Sequence, residues 1–585
     1  MYRFFFSKLP TLIFIMSFAT QAQLVSTNTE LNSAISNAIP GSIIILTNGI
    51  WTNTQINITK IGTEANPIII KAQTAGAVFF EGNSNVKMGG SYVYFEGVIF
   101  RNPSGISTGT PIISFKGSST ECQYCRLTNV KIDSYNGISS QSTSTFKWVL
   151  LYGNNNEISF CSFLGKYGVG SIINDNRDSN SSVPDYSKIH HNYFAGRRPV
   201  GEINALNDQD AIRIGWSGTS LTDSFTEVYD NYFNDFSGEI EIISNKSCGN
   251  KYYNNTFRDY NGCLTLRHGN NCEVFNNFFI ANNKLFSGGV RVMGENHKVY
   301  NNYIEGVNSL KPDGTTSSAV GGINVTNGRI NSALNGYLPV KNTTIINNTF
   351  VNCDFGFRIG TNVGGDLTIA PENLIIANNL IVSNSTSAKA IDQQAIPTGI
   401  LSKYEGNMRQ RGTWDITSGS NGNKVISTEL LANSKTDYFR LITGSAAIDA
   451  NIGVYPFLNR DISGGTRTFN FDVGAEELNS NGTDVPYLDG DVGVKIGFIP
   501  DSSLGVVDHS IQKNNILTIY PVPVSGDYLN LSYSDTLGLV KIVDMQSKIV
   551  FEKVLDCTTA KINLSGLSKG VYFVKVKNSI KIFNK

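Results

Sequence analysis

Apolar residues in this chain recur in short alternating runs broken by asparagine and glycine, and helical spacing is scarce. In Glu239-Ile240-Glu241-Ile242 the isoleucines alternate with carboxylates. In Leu264-Thr265-Leu266-Arg267 the leucines alternate with polar and cationic groups. Alternation of this kind predicts strands with an apolar face turned in and a polar face turned out. A landmark of Asn, then Tyr/Thr/Phe/Leu, then Phe/Ile punctuates the runs. It stands at Asn192-Tyr193-Phe194, Asn231-Tyr232-Phe233, Asn255-Thr256-Phe257, Asn277-Phe278-Phe279, Asn302-Tyr303-Ile304, Asn348-Thr349-Phe350 and Asn379-Leu380-Ile381. From Asn231 to Asn302 the steps are 24, 22 and 25 residues. The step of 46 to Asn348 is close to two such turns. A period in this range, built on strands, predicts an all-β fold, a right-handed parallel β-helix. Each turn would bury its apolar set against its neighbours, with the asparagines stacked in a ladder. Leucine-rich repeats have a similar period, but their leucine framework is missing.

The pattern changes at both ends. Residues 1–22 carry Arg3 and Lys8, then an apolar run from Leu9 to Phe18, then small residues ending at Ala22. That order predicts a cleaved secretory signal peptide, since the run is short for a membrane span. The solenoid is expected over 23–477. Gly444-Ser-Ala-Ala-Ile-Asp449 and Asp472-Val-Gly-Ala-Glu476 resemble segments that close bacterial β-helices. Residues 478–514 lose periodicity and predict a linker. Residues 515–585 predict a small β-sandwich domain, with alternating strands at Tyr528–Leu531, Val540–Val543, Lys561–Leu564 and Gly570–Val576.

Composition adds little to this picture. Lys+Arg and Asp+Glu are both 47 in 585 residues, so global charge points to no nucleic-acid partner. Eight cysteines are scattered without a disulfide framework. The pair Cys122/Cys125 is expected to be a local disulfide or two buried thiols rather than half a zinc site.

Candidate chemistry collects between Asn207 and Arg291. On one strand, Glu239 and Glu241 would point the same way, about 7 Å apart. Such a pair calls for positive charge, and Ca²⁺ suits oxygen ligands of this kind. Aligning Asn231 with Asn255 sets Glu241 beside Thr265, with Arg267 one turn over and two residues along. Asp210 and Arg213 would lie on the turn before and Arg291 on the turn after, all on one outer face. Lys246 follows the carboxylates, and His268 follows Arg267. Charges stacked on successive turns predict a site rather than a solvated surface.

Glu239-x-Glu241-x4-Lys246 with Arg267-His268 resembles polysaccharide lyase family 6, which includes alginate lyases and chondroitinase B. The stretch from Gly288 to His297, GGVRVMGENH, is similar to that family too. The resemblance runs from about Leu24 to Glu477. It implies that Glu239 and Glu241 hold Ca²⁺ with Asp210 and Asn207, that Lys246 is the Brønsted base, and that Arg267 is the Brønsted acid. It implies also that Arg213, His268 and Arg291 bind uronate carboxylates of an anionic polysaccharide, with alginate favoured over dermatan or chondroitin sulfate. The residue types suit β-elimination: the cation offsets the carboxylate beside C5, and neighbouring cations favour a neutral, basic lysine. A β-helix glycoside hydrolase would need a carboxylate acid/base pair and no lysine. A non-enzymatic adhesin would leave the charges merely solvated. At the other end, YPVP followed by LSGLSKGVYFVKV is similar to the C-terminal sorting domain of the type IX secretion system, which implies export through the periplasm to the cell surface or medium. The alternative, a sugar-binding sandwich, lacks an evident aromatic platform.

Overall fold

The computed structural model describes residues 22–585 except 178–182, 417–419, 434–437, 469, 496–516, 521–523, 525, 534–535, 545–547 and 578. The expected signal peptide lies outside the described residues except for Ala22. So do Pro521–Pro523 and much of the expected linker. The chain forms two compact units, 1–503 and 504–585.

The first unit is the parallel β-helix. Three long sheets of 14, 16 and 14 described strands run side by side, and nearly every pairing is parallel. The one α-helix among the described residues, α1 (Asn28–Asn37), closes the N-terminal end of the stack with Leu31, Ala34 and Ile35 buried. Its start is fixed by Thr27, whose side chain accepts the Glu30 amide at 3.2 Å.

The landmark explains the stacking. Each asparagine follows a residue with left-handed backbone, such as Asp230, Asn254, Asn276 or Asn301. That kink turns the asparagine inward. Asn255 donates its backbone N–H and its Nδ2 to Asn277 Oδ1, each at 3.0 Å, and Asn277 repeats this on Asn302. The ladder runs on through Asn348, Asn379 and Asn407 to Asn423. The aromatic two residues later lies in the core, where Phe194, Phe233, Phe257 and Phe279 stack 4.6–4.7 Å apart.

A second register device lies on the outer face of the first sheet. Arg126, Glu157, Lys188, Glu227, Lys251, Glu273 and Lys298 pair in succession, cation against anion. Two residues on, His190, Tyr229, Tyr253, Phe275 and Tyr300 form a ring column with spacings of 4.7–5.0 Å. Slipping the stack by one turn would oppose like charges.

Two expectations are corrected. The 46-residue step is one turn, because Asn302 bonds directly to Asn348. Its surplus residues form two excursions, 306–322 and 327–343, on either side of the strand Ile323–Thr326. The linker does not begin at Leu478. Residues 478–495 lie along the solenoid: Tyr487 donates its amide to Thr256 Oγ1 at 2.9 Å and its hydroxyl to Asp230 at 3.0 Å. Val494 and Lys495 donate their amides to Ser162 and Asn129. Backbone groups satisfied by the solenoid hold this segment, which its irregular sequence did not reveal.

The closing motifs act through their carboxylates. Glu476 accepts the Leu441 amide, Glu477 accepts the Asp472 amide, and Ala475 donates to Thr349. All eight cysteines are free thiols, so Cys122 and Cys125 are buried thiols and not a disulfide. The second unit contains a three-stranded and a four-stranded antiparallel sheet around Leu529, Leu531, Val540, Ile542, Val574 and Val576.

Candidate active site

Four consecutive strands of the middle sheet make the floor: β1 (Ile212–Gly215), β2 (Glu241–Lys246), β3 (Gly262–His268) and β4 (Ser287–Val292). Their apolar residues Ile212, Ile214, Ile243, Leu264, Leu266, Val290 and Val292 fill the core. The outward positions between them pair in one row, Arg213 to Ser244 to Thr265 to Arg291. Arg213 and Arg291 thus stand on the face that alternation predicts.

The carboxylates and the lysine do not follow simple alternation. Strand β2 starts at Glu241, so Glu239 precedes it in a bend. Ile242 and Ile243 are both buried, and a bulge separates Glu241 from Ile243. Glu241 therefore pairs with Cys263, and Ser244 pairs with Thr265; the predicted partner of Glu241 was two positions away. Ile240 packs outside the main core against Cys263, Phe286 and Val320. A second irregularity sets Lys246 against His268 while Asn245 pairs with Leu266, which leaves Arg267 unpaired on its strand. Bulges re-aim side chains in this way, and here the result is that Lys246, Arg267 and His268 all line one cleft.

That cleft is about 550 Å³ and also takes in Asn207, Asp208, Arg213, Glu239, Glu241 and Arg291. Its far wall comes from the two excursions, through Lys311, Ser317, Asn335 and Tyr337. Asp210 lies beneath the cleft and is fully buried. Glu239 and Glu241 are only 5% and 7% exposed.

The charges interlock. Arg213 holds Asp208 at 2.6 Å and Asp210 at 2.7 Å. Burial works against the Arg213 charge, but Asp210 and Asp208 outweigh it and hold its pKa above the ordinary value. Glu241 accepts the Ser244 hydroxyl at 2.5 Å and lies 3.7 Å from Arg267 and 3.9 Å from Arg291. Burial pushes its carboxyl up, but Lys246, Arg267 and Arg291 together pull it below the ordinary range. Glu239 is less fully compensated, with Arg213 as the opposing charge on this side. It accepts the Gln209 amide at 2.8 Å, while burial, then Asp210, then Glu241 push its carboxyl well up. Burial, then Arg267 and Lys246, push His268 down to about 3, so it is a neutral imidazole near pH 7. Its Nε2 lies 2.8 Å from Arg267 Nη1 and 3.1 Å from the Gly336 carbonyl.

Tyr337 was not singled out from the sequence. Its ring lies 4.6 Å from the Arg267 guanidinium and its hydroxyl accepts from Arg291 at 3.2 Å. Asp208 was not singled out by itself either. The long step between Asn302 and Asn348 was the available signal for Tyr337, since surplus residues in a solenoid turn must leave the stack.

The donor set suits a hard cation. Asp210, Glu239 and Glu241 offer only carboxylate oxygens, and Asp210 Oδ1 is buried with no hydrogen-bond partner among the described residues. As they stand, no three acidic, histidine or cysteine side chains among the described residues converge into a metal cage. Arg213 draws Asp210 aside, and Ser244 holds one oxygen of Glu241.

The family model described as Chondroitinase B matches residues 25–440, and the chain belongs to that family. Residues 518–585 match the secretion system C-terminal sorting domain, so the protein is an exported one, at the cell surface or secreted. Among solved structures, the PL6 family alginate lyase AlyGC is 30% identical, with a TM-score of 0.65, over 75% of this chain and 60% of that one. A mannuronic acid specific polysaccharide family 6 lyase from human gut microbiota is 26% identical, with a TM-score of 0.57, over 69% of this chain and 91% of that one. A PL6 family polysaccharide lyase from Pseudopedobacter saltans is 25% identical, with a TM-score of 0.54, over 69% and 96%. This chain thus spans about 60% of the length of AlyGC. No curated protein matches the sequence.

Proposed function

We propose that this protein is a secreted lyase that cleaves a uronic acid polymer, alginate by preference, by β-elimination. The observation that carries the reading is the bulged pairing of β2 with β3. It brings Lys246, Arg267 and His268 into one cleft with Glu239 and Glu241. Lys246 takes the proton from C5, the electron pair forms the C4–C5 double bond, and O4 leaves with the departing chain. Arg267 faces the departing oxygen as Brønsted acid, and its fork of donors stabilises the negative charge that develops there. Arg213 and Arg291 attract uronate carboxylates, and His268 contributes as a neutral hydrogen-bonding group. Ca²⁺ held by Glu239, Glu241, Asp210 and Asn207 would withdraw charge from the carboxylate beside C5 and acidify that proton.

Alginate is favoured because AlyGC is described as an alginate lyase and the gut enzyme as mannuronic acid specific. The family description, Chondroitinase B, favours dermatan sulfate as the second reading. The test mixes the purified mature chain and calcium with polymannuronate, polyguluronate or dermatan sulfate, and follows ultraviolet absorbance of the unsaturated product. A rise on either alginate block supports the proposal. A rise on dermatan sulfate alone selects the second reading, and reducing ends without absorbance would mean a hydrolase. The tail would direct export through the periplasm and the type IX secretion machinery.

A further inference from the structure

The carboxylates of the cleft have a cation behind them as well as in front. Arg197 follows the strand Tyr193–Ala195 and is fully buried in the core-side corner of the solenoid. Its Nη2 donates to the Gly168 carbonyl at 2.9 Å. Its Nε and Nη1 are buried with no hydrogen-bond partner among the described residues. A guanidinium in that state is costly unless nearby charge compensates it.

The compensation comes from the cleft. The guanidinium abuts the backbone that carries Glu239: a Cβ added at Gly238 would lie 3.0 Å from Arg197 Nε. The same Cβ would strike the Gln209 carbonyl at 2.3 Å, so the segment bearing Asp210 is pressed into the same place. Asp210 and Glu239 are the carboxylates whose field Arg197 feels, and burial alone opposes its charge, leaving a pKa of about 10. The neighbouring Lys166 shares the Gly168 carbonyl at 3.3 Å. Burial, then the Arg197 charge, push Lys166 well below its ordinary value.

We infer that Arg197 is a positioning residue for the carboxylate cage, an internal counter-charge that holds Asp210 and Glu239 in place from the core side when no cation sits between them. The inference rests on the proposed calcium site. Arg197 attracts the carboxylates whether or not calcium is present, but it repels calcium only when calcium is bound. Removing its charge therefore destabilises the calcium-free protein and tightens calcium binding together.

The experiment compares the parent with Arg197→Met and Arg197→Lys at one fixed pH. Isothermal calorimetry reads calcium affinity, and thermal unfolding in chelator and in calcium reads stability. In Arg197→Met the calcium Kd falls on the order of tenfold, from loss of one repelling charge on the core side of the site. The calcium-dependent rise in Tm becomes larger than in the parent, while Arg197→Lys stays close to the parent. A purely structural arginine would lower Tm equally with and without calcium and leave Kd unchanged, which overturns the inference while the calcium site stands. If the parent shows neither calcium heat nor a calcium shift in Tm, the calcium reading fails and takes the inference with it. Should Arg197→Met not fold, Arg197→Gln, which keeps a donor for the Gly168 carbonyl, replaces it in a cycle with Glu239→Gln: the two substitutions must be non-additive in Tm in chelator, and additivity overturns the inference.

Discussion

Asn277→Ala tests whether the asparagine ladder holds the solenoid together. Asn277 is fully buried, and its Oδ1 accepts both the backbone amide and the side-chain amide of Asn255 at 3.0 Å. Its Nδ2 donates to Tyr252 O at 2.9 Å, Phe275 O at 3.0 Å and Asn302 Oδ1 at 2.9 Å. Alanine removes all five. Some partners keep a bond: Asn255 Nδ2 still reaches Val228 O, and Asn302 Oδ1 still receives the Asn277 amide. The Asn255 amide is left with nothing. An orphaned buried donor costs about 1–3 kcal/mol, and the emptied volume adds about 1 kcal/mol, so the loss should be about 3 kcal/mol. Asn277→Asp should cost at least as much, because a buried carboxylate would face the Tyr252 and Phe275 carbonyls. Trp51, Trp148, Trp216 and Trp414 all lie in the first unit, so tryptophan fluorescence during urea unfolding reports the solenoid alone. A loss below about 1 kcal/mol would refute the ladder as a main support and leave the phenylalanine stack in that role.

Four further outcomes are expected. Lys246→Ala should lower kcat by about 10²–10⁴ with substrate binding retained, and Lys246→Arg should not restore it; a kcat within a few-fold of the parent removes Lys246 as the base. Chelation, or Glu241→Ala, should abolish turnover while circular dichroism is unchanged, and full activity in chelator ends the calcium role. Deleting 515–585 should leave the purified enzyme active but block its release from the native cell; an inactive truncation would tie the tail to the catalytic fold. The last concerns acid. His297 is fully buried, its Nε2 donating to Met293 O at 2.9 Å and its Nδ1 accepting the Cys272 amide at 3.2 Å, so only the neutral ring fits. Burial pushes its pKa down from 6.5 to about 4. The unfolded chain therefore binds this proton first, and stability falls as pH drops from 6.5 towards 4, by about 2 kcal/mol near pH 5. His297→Gln should flatten that interval in unfolding curves, and an unchanged slope would contradict it.

How far the sequence reached can be judged at particular residues. Asn255, Asn277 and Asn302 are separated by one turn of chain, so the ladder and the parallel β-helix were legible as a period. The outward positions of Arg213 and Arg291 followed from alternation on regular strands. The alternating row from Glu227 through Lys251 and Glu273 to Lys298 is legible in the same way, each four residues before a landmark asparagine. Strict alternation failed at Glu241 and Arg267, where bulges interrupt the pairing. The adjacent Ile242-Ile243 hints at the first bulge, but which strand absorbs the extra residue depends on its neighbour. The 46-residue step looked like two turns because the length of a loop carries no record of whether it re-enters the stack.

By itself, then, the sequence determined what repeats: the strand period, the asparagine corner and the inward aromatic. These depend on local geometry and on contacts between equivalent positions of neighbouring turns, so they leave a periodic trace. The tertiary structure alone decided what does not repeat. It aimed Lys246, Arg267 and His268 into one cleft through two bulges, laid Tyr337 against the arginines from a loop about 70 residues away in the chain, bound 478–495 along the solenoid, and buried Arg197 behind Glu239. Each of these is a contact between unlike segments far apart in sequence, fixed by the shape and charge of the surface the chain folds back on, and no local pattern encodes it.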